Sequence, residues 1–158
     1  MLIVSDTSPV TNLIRLGQLD ILELLFKEVI IPEKVYDELS NYEHQKEEID
    51  KRVWIVVRTV TDFEKVKKLQ NLLDLGEAEA IILAKEMNAD FLIIDERKGR
   101  KVAEGYGLRI IGLLGVLIRG KKKGHLRELK PILDKLTNEI GFRISKKLYD
   151  RVLEEVGE

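Results

Sequence analysis

The residues LIVSDTSPV (2–10) show the pattern that decides the fold. An apolar run typical of a buried strand ends on Asp6, two hydroxyl residues follow, and Pro9 begins a helical pattern. Proline suits the first turn of a helix, which predicts that Ser8 occupies the N-cap position. Asp6 would then lie too early to serve as a simple helix cap. Whether other carboxylates come close to Asp6 in the fold decides what it does.

The alternation of strand and helix continues as far as residue 112. Each predicted strand is a continuous apolar run, which is typical of parallel sheets covered by helices on both faces. Two of these runs end on a proline or glycine, Pro32 and Gly112. We predict strands over residues 2–6, 28–32, 53–58, 91–95 and 109–112.

After residue 112 the pattern is wholly helical and reads as three segments. The length of 158 residues favours one domain. We therefore predict a single domain over residues 1–158, with an α/β core at 1–112. The helical extension at 113–158 would pack on that core or carry a dimer contact.

Composition excludes several kinds of site. The chain has no cysteine and only two histidines, His44 and His125, which argues against zinc sites and a Ser/His triad. Lys and Arg (27) nearly balance Asp and Glu (28), so any attraction for nucleic acid must be local. No signal peptide and no membrane span are recognisable. We expect a soluble cytoplasmic protein, and the many Lys, Glu, Ile and Val residues are typical of thermophiles.

Carboxylates end two of the predicted strands. Asp6 follows the first strand, and Asp95 and Glu96 follow the fourth. Ligands of open parallel sheets bind at the carboxyl ends of the strands, so these groups are candidates for one site. Asp95 could equally cap the helix that begins near Arg97.

Two helices add further acidic candidates. Glu38 borders the buried side of the helix that contains Val35 and Leu39. Glu79 extends an apolar stripe near the start of a later helix, and Glu77 competes with it for the same role. A carboxylate near a helix N-terminus is also favoured by the helix dipole alone, so each residue has a structural alternative.

The four acids taken together point to a metal site. Asp6, Glu38, Glu79 and Asp95 would be costly to bury side by side as bare anions. They would raise one another's pKa values or bind a divalent cation. Oxygen ligands without imidazole or thiolate favour Mg²⁺ or Mn²⁺, and such a site suits phosphodiester hydrolysis.

At these residues the sequence resembles the PIN domain, the nuclease-like fold of VapC-type toxins. VSDTS (4–8) is similar to the first acidic motif of that family, and VYDEL, GEAEAIILA and FLIID contain the later acids in matching order. The resemblance extends over nearly the whole chain, to a largely uncharacterised prokaryotic branch. It implies a Rossmann-like three-layer α/β/α fold, a homodimer, and Mg²⁺- or Mn²⁺-dependent RNA cleavage, often as the toxin of a toxin–antitoxin pair.

The resemblance also implies roles for individual residues. Asp6, Glu38, Glu79 and Asp95 are the implied catalytic acids, with the metal held by Asp6, Asp95 and Glu79. The implied supporting residues are Thr7, Ser8, Asn12, Glu77 and Glu96.

The sequence departs from the family pattern at two points. The third acid is usually Asp, whereas here it is Glu79, with Glu77 close by. A Thr often precedes the fourth acid by two residues, and that position holds Ile93 if Asp95 is the ligand. It holds Ile94 if Glu96 is the ligand. A catalytically silent RNA-binding or regulatory protein with the same fold is therefore the alternative.

Two basic clusters are candidates for RNA contacts, although each could be a solvated helix face. The first follows the fourth acid directly, so it could position phosphates. The second lies near residue 120. An RNA substrate and a small antitoxin protein are the expected partners. The cluster residues are Arg97, Lys98, Arg100 and Lys101 in the first, and Lys121, Lys122 and Lys123 in the second.

Overall fold

A computed structural model describes residues 1–158, and its centre is a five-stranded parallel sheet. The strands lie in the spatial order β3-β2-β1-β4-β5, so β1 and β4 are neighbours in the middle of the sheet. Helices cover both faces, which confirms the expected three-layer α/β/α architecture. The strands are β1 (Ile3–Ser5), β2 (Val29–Pro32), β3 (Ile55–Arg58), β4 (Phe91–Ile93) and β5 (Ile110–Ile111).

Ten α-helices connect and follow the strands. Every predicted strand contains its observed counterpart, and the three C-terminal helical segments are also present. The last of these is preceded by a π-helical turn, Leu136–Ile140, which the sequence pattern did not predict. The helices are α1 (Thr7–Arg15), α2 (Ile21–Phe26), α3 (Glu33–Ser40), α4 (Glu43–Asp50), α5 (Phe63–Leu69), α6 (Leu75–Glu86), α7 (Arg97–Gly105), α8 (Leu113–Lys122), α9 (Lys130–Lys135) and α10 (Lys146–Glu155).

Two apolar cores lie on opposite faces of the sheet. Consecutive residues of a strand point to opposite faces, so Ile3 joins one core and Val4 the other. Likewise, Ile93 and Leu92 of β4 are divided between the two cores. The first core is covered by α1, α2 and α8, and the second by α5, α6 and α7.

The C-terminal helices pack against the first core. Leu133 of α9, Leu136 of the π-helical turn and Leu153 of α10 belong to the same buried cluster as Ile3. The extension therefore shares a hydrophobic core with the α/β part of the chain. None of the helices combines the length and the apolar character that crossing a lipid bilayer requires.

The turn between β1 and α1 is shorter than the sequence indicated. Helix α1 begins at Thr7, and Asp6 occupies the N-cap position with extended backbone angles (φ −81°, ψ 174°). The expectation that Ser8 caps this helix is therefore wrong. The Asp6 side chain makes no capping hydrogen bond, while its backbone N–H donates to Ile93 O at 2.9 Å. Its carboxylate thus lies at the carboxyl end of the two central strands.

Candidate metal centre

Acidic side chains from several elements meet in one cavity at the carboxyl end of the sheet. The cavity has a volume of about 230 Å³ and no hydrophobic residue in its wall. We refer to it as the acid pocket. Its lining residues are Asp6, Thr7, Ser8, Thr11, Glu38, Asp74, Glu77 and Glu96.

Asp6 is the most central acid of this pocket. Only 6% of the residue is exposed, because β1 lies in the middle of the sheet and α1 starts immediately afterwards. Burial, with smaller contributions from the charges of Asp74, Glu38 and Asp95, raises the pKa of the Asp6 carboxyl to about 7, although a hydrogen bond from the Thr7 backbone lowers it. The group is therefore only partly ionised at neutral pH, and a bound cation would favour its ionised form.

Glu38 reaches the pocket from α3 across a glycine of α6. A Cβ atom built on Gly76 would lie 2.0 Å from Glu38 Oε1, so only glycine leaves room for this carboxylate. The Oε1 atom is buried and has no hydrogen-bond partner. Burial raises the pKa of Glu38, and the charge of Asp74 adds to the rise. An unpartnered buried oxygen is an available ligand atom.

Glu77 lies on the first turn of α6, which begins with Asp74 as its N-cap. The Asp74 carboxylate accepts a hydrogen bond of 2.9 Å from Glu77 N, so it fixes the start of the helix that carries Glu77. Glu77 is 9% exposed, and its Oε2 atom is buried without a partner. Burial raises the pKa of Glu77 to about 8, with the neighbouring Asp74 as the next cause.

Glu79 does not line the acid pocket. Its Oε1 atom accepts a hydrogen bond of 3.1 Å from the backbone N–H of Lys34, at the start of α3. The residue therefore ties α6 to the helix that carries Glu38. The apolar stripe of α6 does not distinguish Glu79 from Glu77, because this helix is buried on most of its circumference, over Gly76–Ala78 and Ala80–Ala84.

Asp95 and Glu96 leave β4 toward different surroundings. Glu96 is exposed and lines the acid pocket. The Oδ1 atom of Asp95 accepts a hydrogen bond of 2.9 Å from Leu113 N, at the start of α8, whereas its Oδ2 atom is buried without a partner. Burial raises the pKa of Asp95. Asp95 thus accepts a hydrogen bond from the first turn of α8. It does not cap α7, so that alternative for Asp95 is wrong.

The hydroxyl residues of α1 form the remaining wall of the pocket. Thr7, Ser8 and Thr11 line it, and the Thr7 hydroxyl is buried without a hydrogen-bond partner. Asn12 does not line it. The sequence reasoning missed Thr11 and Asp74. Asp74 and Glu77 have the spacing of a capping box, which was the available signal for Asp74.

The donor atoms fit a hard divalent cation. They are all oxygens, and Glu38, Glu77 and Asp95 each have a buried oxygen with no partner. No group of three or more acidic or histidine side chains is already arranged to hold a metal ion. Binding a cation would therefore require side-chain rotations that bring these oxygens together.

The two basic clusters lie at opposite ends of the sheet. Arg97, Arg100 and Lys101 of α7 line a cavity of about 440 Å³ next to Asp95. In contrast, Lys122 and Lys123 surround a cavity with Met1 at the amino end of β1. We call the first of these the basic cavity.

Two lysines of the second cluster already have acidic partners. Lys121 Nζ lies 3.3 Å from Glu158, and Lys122 Nζ lies 2.8 Å from Glu155. These ion pairs reduce the positive charge available at the amino end of the sheet. The basic cavity is therefore the better placed of the two for a phosphate near the acid pocket.

A comparison with protein families agrees with this arrangement. A family model described as a PIN domain matches residues 2–158. This match confirms the resemblance seen in the acidic motifs, and it extends over the C-terminal helices. No curated protein matches the chain.

Proposed function

Because the chain belongs to the PIN domain family, whose members are generally nucleases, we propose that it is a metal-dependent endoribonuclease. The reaction would be hydrolysis of an RNA phosphodiester bond at the acid pocket. Water adds across one P–O bond, so one product has a terminal phosphate and the other a terminal hydroxyl group.

The observation that carries this proposal is the convergence of several carboxylates in one pocket, two of which keep a buried oxygen without a partner. Asp6, Glu38 and Glu77 come from three separate elements, are at least partly buried, and line one cavity. Glu38 and Glu77 each keep a buried oxygen without a partner. Such groups destabilise a fold unless a proton or a cation neutralises them, so their presence favours a cation-binding role.

Each acid has a proposed role. Asp6 and Glu77 would hold the cation, together with Asp95 or Glu96. We favour Glu77 over Glu79 as the third acid, because the Glu79 carboxylate already accepts the hydrogen bond from Lys34 N. Glu38 would orient the attacking water and accept its proton, a task that suits a carboxyl with a raised pKa.

The cation itself would be Mg²⁺ or Mn²⁺. When bound, such an ion lowers the pKa of a coordinated water and offsets the negative charge that develops on phosphate. Thr7 and Ser8 would hold water and the carboxylates in place through their hydroxyl groups. Arg97, Arg100 and Lys101 would hold phosphates of the RNA strand near Asp95.

The wider biological role follows only from the family resemblance. On that basis we propose that the protein is the toxin of a type II toxin–antitoxin pair, acts in the cytoplasm and forms a homodimer. Co-purification with a small protein encoded next to it, and loss of RNA cleavage in that complex, would support this role. A free, active monomer with no such neighbour would contradict it.

A catalytically silent RNA-binding protein is the second candidate. Two observations favour it: Ile93 stands where a hydroxyl residue is common, and no set of side chains is already arranged for a metal ion. A pure RNA binder would gain nothing from anions facing phosphate, however. That charge distribution makes the enzyme the better proposal.

The test combines Mn²⁺ binding and RNA cleavage. Calorimetric titration of Mn²⁺ and cleavage of single-stranded and structured RNA would be measured on wild type, Asp6→Asn and Glu77→Gln. Glu64→Gln is the matched control, because Glu64 is an exposed acid of α5 that lies outside the pocket. Loss of both binding and cleavage in the pocket variants alone supports the enzyme. Absence of Mn²⁺ binding in wild type overturns it.

A further inference from the structure

Another large cavity shares Asp95 and Arg100 with the basic cavity. Its volume is about 500 Å³, which is within the range of about 300–1,000 Å³ for small-molecule sites. It opens beside the edge strand β5, between the start of α8 and the segment that follows the π-helical turn. We call it the edge pocket, and its main lining residues are Asp95, Arg100, Ile110, Leu114, Phe142 and Arg143.

One wall of the edge pocket is apolar and partly open to solvent. Phe142 and Leu114 pack against the first core and remain only partly buried. Leu148 at the start of α10 also lines this wall and is 36% exposed. An aromatic ring beside accessible aliphatic groups provides a surface on which a flat, apolar ligand can stack.

Two arginines also line the edge pocket. Arg100 and Arg143 both line the pocket, and neither forms an ion pair with a carboxylate. A Cβ atom on Gly112 would lie 2.8 Å from Asp95 Oδ1 and 3.2 Å from an Arg100 nitrogen. Gly112 thus allows these two side chains to meet at the mouth of the pocket. Arg143, which has no acidic partner, and Arg100, which lies beside Asp95, together with the apolar wall match a ligand that is both anionic and aromatic.

We propose that the edge pocket binds one unpaired nucleobase of the RNA strand whose phosphodiester bond lies at the acid pocket. The inference rests on the proposed nuclease function. The base would stack on Phe142, and the phosphate next to it would lie between Arg100 and Arg143. Asp95 and Arg100 also border the basic cavity, so a strand could run from one cavity into the other without leaving the surface.

This arrangement determines the substrate class. A base can enter the edge pocket only after it leaves its helical stack, so the enzyme would act on single-stranded or looped RNA and not on a continuous duplex. A protein segment is the competing occupant. It offers no regular alternation of an aromatic ring with an anion, and the exposed Arg143, which has no acidic partner, favours the nucleotide.

The experiment uses the full chain and a single-stranded RNA that contains 2-aminopurine, whose fluorescence falls when it stacks on an aromatic ring. Binding is measured in EDTA, and cleavage in Mn²⁺ on the same samples. The variants are Phe142→Leu, which keeps an apolar side chain, and Arg143→Ala, which changes an exposed residue. Arg151→Ala is the matched control, because Arg151 is an exposed arginine of α10 that does not line the edge pocket.

Wild type is expected to quench the single strand and not the corresponding duplex. Phe142→Leu should abolish the quenching and weaken binding about tenfold, the effect of losing one stacked base. Arg143→Ala should weaken binding and Arg151→Ala should not. Because Arg143 is exposed, its variant tests the pocket even if Phe142→Leu fails to fold.

The outcomes separate this proposal from the proposed function. Quenching that depends on Phe142 and Arg143, without cleavage in Mn²⁺, would support the pocket and overturn the nuclease. Cleavage with an unchanged preference for single strands in both variants would overturn the pocket and leave the nuclease. Equal binding of duplex and single strand by wild type would also overturn the pocket.

Discussion

Gly76 and Glu38 are in direct contact across the interface between α6 and α3. A side chain of any size on Gly76 would overlap the Glu38 carboxylate, because its Cβ atom would lie 2.0 Å from Oε1. The glycine lies within the first turn of α6, one residue before Glu77. A single small residue thus sets the distance between two of the acids that line the pocket.

We predict that Gly76→Ala reduces RNA cleavage at least tenfold without destabilising the fold. The overlap is with the end of a flexible side chain, so Glu38 would move away while α6 gains up to about 1 kcal/mol of helix propensity. Cleavage rate and thermal unfolding would be measured together. Gly105→Ala in α7 is the control, since a Cβ atom there meets nothing within 4 Å. A variant that unfolds early, or one that cleaves normally, would contradict the prediction.

Stability should fall as the pH rises from about 4 to about 8. Asp6 and Glu77 have pKa values of about 7 and about 8 in the folded chain, above their ordinary values of 3.8 and 4.5. Across that interval the folded state binds more protons than the unfolded state, so the free energy of unfolding decreases with pH. The contribution of these two groups to the free energy of unfolding is fully present at a pH below their ordinary pKa values. It is lost at a pH above their raised pKa values.

The variant Asp6→Asn should therefore be more stable than wild type at pH 8 and similar to it at pH 4. We expect a difference of about 4 kcal/mol at pH 8 from the size of the pKa shift, or roughly 8–16 °C in melting temperature. Mn²⁺ should stabilise wild type at pH 8 and leave the variant unchanged. A melting difference that is independent of pH would show that Asp6 ionises normally in the folded chain.

The sheet could be predicted from the sequence because five separate strand patterns point to the same architecture, so an error in one of them does not change the prediction. Each strand is an apolar run between breakers, and a shift of one residue at its end changes neither the strand order nor the position of Asp6 at the carboxyl edge. The observed strands, such as Phe91–Ile93 within the predicted 91–95, show this tolerance. The prediction of a parallel sheet depended on the strand runs together, and not on any single boundary.

The choice among neighbouring acids could not be made in the same way. Glu77 and Glu79 lie about 200° apart around the axis of α6. Because that helix is buried on most of its circumference, hydrophobic periodicity does not show which of the two faces the pocket. Asp95 and Glu96 separate because the chain leaves β4 at this point, where a one-residue step reverses the side-chain direction. The identity of the acids that line the pocket therefore depends on tertiary contacts, such as the hydrogen bond from Lys34 N to Glu79.

Substitutions at Glu77 and Glu79 should have opposite effects. Glu77→Gln should remove Mn²⁺ binding and cleavage with no loss of stability, because a neutral amide replaces a buried carboxyl with a pKa of about 8. Glu79→Ala should lower stability by about 1 kcal/mol because the hydrogen bond to α3 is removed, and should retain Mn²⁺ binding. Calorimetry and thermal unfolding would measure both effects.

The control is Glu79→Gln, which retains an acceptor oxygen and should have a stability near that of wild type. Loss of Mn²⁺ binding in Glu79→Gln would instead identify Glu79 as a ligand.

The two basic clusters should differ in their effect on RNA affinity. The double variant Arg97→Ala, Lys101→Ala removes two cations beside Asp95, whereas Lys122→Ala, Lys123→Ala removes two at the amino end of the sheet. Both double variants change the net charge by the same amount, so a difference in their RNA affinity reflects the position of the removed charges and not the total charge.

The first double variant should weaken binding of single-stranded RNA and lower the slope of log K against log salt by roughly 0.7 for each phosphate that is no longer neutralised by a basic side chain. The second should leave the slope unchanged, because both lysines lie with Met1 at the amino end of β1, away from the acid pocket, and Lys122 is already paired with Glu155. Equal reductions in affinity in the two double variants would contradict this prediction. They would mean that RNA contacts both ends of the sheet, or that the overall charge of the protein attracts RNA without a local contact at either cluster.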